Sequence, residues 1–110
     1  MTLDEFYDTT KRTSNYIDAG TGTFNELAYL ALGLAGESGE AADCIKKIFG
    51  MTGNSKWSEL KYFEQKDKLV LELGDALWYW VRLVHALNLD PKMIMKVNIV
   101  KLQERYEDSV

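Results

Sequence analysis

One cysteine, one proline and one histidine stand in a chain of 110 residues. Cys44 has no partner for an internal disulfide, and the acidic opening "MTLDEFYD" is unlike the basic start of a secretory signal, so the expected compartment is the reducing cytoplasm. The lone Pro91 leaves long stretches rich in Leu, Ala, Glu and Lys uninterrupted, which points to an all-α fold. The lone His85 has Arg82 three residues before it, so the Glu-x-x-His pairs of a di-iron bundle are absent, and no Ser/His/Asp set is apparent from spacing. The longest apolar run, "ALWYWV" at 76–81, falls far short of the roughly 20 residues of a membrane span, and no membrane association is expected. A net charge of −4 provides no basic face for a nucleic-acid backbone, so a polymeric nucleic acid is not an expected partner.

What is present reads as one domain over residues 1–110, built as a four-helix bundle. "TLDE" at 2–5 fits a capping box and opens a helix to about Asn15; "AGTGT" at 19–23 is a loop. Thr23 and Glu26 repeat the capping pattern. Leu27, Leu30, Leu34, Glu37, Ala41, Cys44 and Ile48 then recur at steps of three and four, forming the seam of a long helix that ends near Gly50. Cys44, on this seam, reads as packing. "GMTGNS" at 50–55 supplies a break. A third helix starts near Ser58, with a candidate interruption in "EQKDK" at 64–68 and a seam of Leu69, Leu73, Ala76, Trp80, Leu83 and Leu87. Asp90 and Pro91 suit the N-cap and first position of a fourth helix running to about Glu107. Between Ala76 and Val84 the third helix is apolar around most of its circumference, more than one small domain can cover. A second copy of the chain is therefore expected to complete the core and the site as a homo-oligomer.

Two acidic pairs repeat one pattern: Glu37-x-x-Glu40 in the second helix and Glu72-x-x-Asp75 in the third. Residues three apart on a helix differ by about 60° in direction, so each pair projects from one face. Glu37 occupies the seam itself, and Glu72 and Asp75 flank Leu73 and Ala76. A single E-x-x-E is commonly a solvated surface feature. Two such pairs on the apolar sides of helices that pack together place four carboxylates in one partly dry space, where an unpaired charge costs several kcal/mol. Oxygen ligands of this kind suit Mg²⁺ or Mn²⁺, and Mg²⁺ commonly joins carboxylates to substrate phosphates.

Opposite charge lies on the fourth helix, where Asn98, Lys101 and Arg105 form one stripe at i, i+3 and i+7. That stripe is either a phosphate-facing set or an ordinary solvated face. Lys46 and Lys47, ending the second helix, carry the same two readings, the second being compensation of the helix dipole. Trp57, Tyr62 and Phe63 offer either a stacking face for a base or simple packing.

"GLAGESGEAADCIKK", "ELGDALWYW" and "NIVKLQERY", in this order, resemble the MazG-like nucleoside triphosphate pyrophosphohydrolases over about residues 25–106. The resemblance implies an all-α enzyme dependent on Mg²⁺ that splits nucleoside triphosphates, dNTPs among them, into monophosphate and pyrophosphate. It assigns the metal to Glu37, Glu40, Glu72 and Asp75, with Glu37 also polarising the attacking water, and nucleotide contacts to Asn98, Lys101 and Arg105, with Lys47 added as a candidate. It further implies dimers or pairs of dimers, and a role in nucleotide-pool control or removal of damaged nucleotides. Two alternatives stay open: a non-catalytic helical dimer that binds a nucleotide or a partner protein, and a phosphoribosyl-ATP pyrophosphohydrolase.

Overall fold

A computed structural model describes residues 1–50 and 56–107. All regular elements among them are helical: α1 (Leu3–Thr10), followed by a 3₁₀ turn (Lys11–Thr13), then α2 (Phe24–Phe49), α3 (Glu59–Ala86) and α4 (Pro91–Glu107). The expected all-α architecture is present, and its helix starts are the ones the capping residues mark. Thr2 Oγ1 accepts from Glu5 N–H (3.1 Å), Ser58 Oγ from Lys61 N–H (3.2 Å) and Asp90 Oδ1 from Lys92 N–H (3.0 Å). The 64–68 stretch does not interrupt α3, because its Glu, Gln and Lys are good helix formers that stay mostly in solvent. The turn expected from "GMTGNS" falls on 51–55, outside the described residues. Only Gly50 is seen, its N–H directed at Lys47 O. None of the described helices is long and apolar enough to cross a membrane.

The body of the molecule is the antiparallel pair α2–α3. The seam of α2 is buried as its periodicity requires, with Leu30, Ala41, Cys44 and Ile48 in the core. Where α2 ends and α3 begins, Trp57 meets both Phe49 and Tyr62 with ring centroids 5.4 Å apart.

On α3 the deepest positions are Val81, Arg82 and Val84, whereas Leu73 and Leu87 of the expected seam are exposed. The N-terminal segment folds back onto the C-terminal half of α3 and accounts for the burial of Arg82 there. Arg82 Nη1 donates to Thr10 Oγ1 (3.2 Å), Trp78 Nε1 to Thr13 Oγ1 (2.7 Å), and the Tyr7 hydroxyl bonds His85 Nδ1.

Glu26 fixes the loop that joins this segment to α2. Its carboxylate, 1% exposed, accepts from Tyr16 Oη (2.7 Å) and from the N–H groups of Gly20 (2.6 Å) and Gly22 (2.9 Å). Both glycines sit at positive φ, a conformation that costs other residues strain and that turns their N–H groups inward here. Burial alone would raise the Glu26 carboxyl, but these hydrogen bonds and the charge of Arg82 outweigh it and hold the group below the usual carboxylate range.

α4 does not close a bundle within one chain. It makes only marginal contact with the other helices, apart from a Lys92–Asp4 ion pair (2.7 Å) at its start. The result is an open shape, with a radius of gyration of 17.4 Å, against about 13 Å for a compact domain of about 100 residues.

Candidate active site

Midway along the α2–α3 contact, Glu37 from one helix meets Glu72 and Asp75 from the other. One carboxylate oxygen from each lies within 4.8 Å of the others; Glu37 and Glu72 are half-buried and Asp75 is exposed. The crowding shows in Glu37, whose carboxyl is lifted to about 7 by a hydrogen bond shared with Glu72, by burial, and by the charges of Glu72, Asp75 and Glu40. Among the described residues no Lys, Arg or His is ion-paired with any of the three. Three converging carboxylates without a cation of the chain's own are a donor set that fits a hard divalent ion.

The remaining expected site residues are placed differently. Glu40 is exposed and outside the converging trio, acting on it through its charge. Lys47 is ion-paired with Asp43 at 3.2 Å, one turn earlier on α2. Asn98, Lys101 and Arg105 are all exposed on α4, which makes no substantial contact with α2 or α3 in the same chain.

An aromatic group beside the acids was not anticipated from the motifs. Tyr79, one turn beyond Asp75, lies over Gly33, one turn before Glu37, and a Cβ at Gly33 would overlap its ring. Hydrogen bonding to Tyr29, burial, and the negative charges of Glu37 and Asp75 push the Tyr79 hydroxyl up to about 12. Tyr16 stacks on Tyr29 with ring centroids 4.8 Å apart, and Trp78 meets Tyr79 edge-on at 5.0 Å. The signal was available: Gly33 and Tyr79 stand four residues from Glu37 and Asp75, on the same helix faces.

The antiparallel pair thus turns Glu37 of E-x-x-E toward both acids of E-x-x-D, with Glu40 left outside the cluster. A family model described as the MazG nucleotide pyrophosphohydrolase domain matches residues 25–110. The chain belongs to that family. The MazG match begins at the start of α2, so it takes in both acidic pairs and α4 and leaves α1 and the loop before α2 outside. The chain is also similar to a protein of Mycobacterium phage L5 named "Gene 37 protein", with 32% identity over 111 residues covering 100% of this chain and 93% of that protein. No solved structure matches it significantly.

Proposed function

We propose that this MazG domain hydrolyses nucleoside triphosphates, dNTPs among them, between the α and β phosphates, releasing the monophosphate and pyrophosphate. The observation that carries the reading is the convergence of Glu37, Glu72 and Asp75 in a chain of this family. Those three residues, with Glu40 beside them, would hold Mg²⁺ or Mn²⁺. When bound, the metal neutralises charge on the phosphate oxygens and favours a water nucleophile. Glu37, facing both acids of α3, also orients the attacking water. Phosphoryl transfer needs positioning and charge neutralisation more than a covalent intermediate, so no serine or cysteine nucleophile is required.

Lys101, Arg105 and Asn98 serve the nucleotide's phosphates and sugar across a homodimer or a dimer of dimers. Support for this comes from α4, which stands away from its own acids with Met93, Met95, Val97, Ile99 and Val100 more than half exposed. Exposed apolar surface of that extent on a small domain marks an interaction face. Lys47 remains a candidate contact, reached once it leaves Asp43. The cellular role that follows is control or cleaning of the nucleotide pool.

Canonical and modified NTPs and dNTPs, with phosphoribosyl-ATP beside them, assayed for pyrophosphate with and without Mg²⁺, test the reading. Metal-dependent pyrophosphate release from at least one nucleoside triphosphate supports it. Nucleotide binding without turnover across the panel would instead indicate the non-catalytic dimer, and turnover confined to phosphoribosyl-ATP would indicate the other enzyme.

A further inference from the structure

α2 carries three interior glycines close to the acidic pair, each costing about 1 kcal/mol of helix stability relative to Ala. A Cβ at Gly36 or Gly39 would meet nothing within 4 Å. Gly33 differs: the three atoms nearest to such a Cβ all belong to the Tyr79 ring, and each would be closer than any real contact allows. Two aromatic neighbours limit where the ring can withdraw, with the Tyr29 centroid 6.0 Å and the Trp78 centroid 5.0 Å away.

Gly33 precedes Glu37 by one turn, and Tyr79 follows Asp75 by one turn. In an antiparallel pair the contact of Gly33 with Tyr79 and the meeting of Glu37 with Glu72 and Asp75 therefore belong to one register. A slide of α3 by a single residue would move its acids about 1.5 Å along α2, enough to spoil a ligand set whose oxygens now lie within 4.8 Å. We propose that Tyr79, seated in the notch left by Gly33, is a positioning residue that sets the register in which Glu37 meets Glu72 and Asp75. This inference rests on the metal-site reading above.

Mn²⁺ binding to the nucleotide-free full chain, measured by titration calorimetry, tests it without reference to turnover. Gly33→Ala is expected to weaken Mn²⁺ binding by about tenfold, as loss of support around a metal site typically does. Tyr79→Phe, which keeps the ring and loses only the hydroxyl, is expected to bind within about threefold of wild type, while Tyr79→Val loses affinity as Gly33→Ala does. The double variant Gly33→Ala/Tyr79→Val is expected to bind no more weakly than either single variant, because both substitutions act on one contact. Undiminished binding in Gly33→Ala would overturn the proposal, and so would losses that simply add in the double variant. If circular dichroism shows Gly33→Ala unfolded, the contrast between Tyr79→Phe and Tyr79→Val decides, equal affinities contradicting the proposal. Failure of the metal-site reading looks different: wild type and Glu72→Gln would then bind Mn²⁺ equally weakly.

Discussion

Glu37 and Glu72 each bring a carboxylate oxygen within 4.8 Å of the other across the α2–α3 contact, which places two acids where the metal-free fold would be better served by one. Like charges held together oppose folding until a cation joins them. Glu37→Gln should therefore stabilise the protein in chelator at pH 8, by on the order of 1 kcal/mol once solvent screening of a half-buried pair is allowed for. Added Mg²⁺ should raise the Tm of wild type and leave that of Glu37→Gln nearly unchanged. Thermal melts of both proteins in chelator and in Mg²⁺ check this. A wild type that is indifferent to Mg²⁺ would count against the site.

Glu26 carries a stability contribution of opposite sign. Replacing it with Gln turns one acceptor oxygen into a donor amide facing the N–H and O–H groups of Gly20, Gly22 and Tyr16, at a cost of roughly 2–3 kcal/mol. Because the folded-state carboxyl is held below its ordinary value of 4.5, the contribution is in place above that value. It is lost as pH falls through the lowered folded-state range. Urea unfolding of wild type and Glu26→Gln should show the full gap at pH 7 and a smaller one below pH 4.5.

α4 reaches the acids of a partner, not its own, if the proposed assembly holds. Lys101→Ala should lower kcat/KM by on the order of a hundredfold, the usual effect of removing one charge-stabilising donor, with little change in Tm. Glu72→Gln should be inactive. Mixing the two inactive proteins and letting subunits exchange should restore about a quarter of wild-type activity, since half of randomly paired dimers regain one intact site of two. No recovery would place Lys101 in the same chain's site or outside the site altogether. Val97→Glu, on the exposed face of α4, should shift sedimentation toward the monomer and lose activity with it.

The local parts of this architecture are legible in the sequence. Thr2, Thr23 and Asp90 announce helix starts because capping is a matter of three or four neighbouring residues. Glu37, Glu72 and Asp75 are legible because helical spacing fixes their direction and the α2 seam fixes the facing side.

Glu26 was not legible in its main role. Thr23 and Glu26 carry a capping-box pattern, and Thr23 Oγ1 does accept from Glu26 N–H (3.5 Å), but the Glu26 carboxylate turns to the preceding loop, a choice set by chain folding back over α3. The same fold-back misleads the seam of α3: Thr10 and Thr13 lie 72 and 65 residues from Arg82 and Trp78, and no short-range pattern registers such contacts. The position of α4 was hidden for a related reason, since periodicity identifies an apolar face and not the surface that will cover it.

We propose that Glu37, Glu72 and Asp75 hold the metal at which a nucleoside triphosphate is cut between its α and β phosphates. Product analysis of wild type and Glu72→Gln, incubated with a turned-over triphosphate and Mg²⁺, tests it most directly. Equal amounts of nucleoside monophosphate and pyrophosphate are expected from wild type, and none above background from a Glu72→Gln protein that remains folded. Release of inorganic phosphate and the nucleoside diphosphate instead, or undiminished turnover by Glu72→Gln, would contradict it.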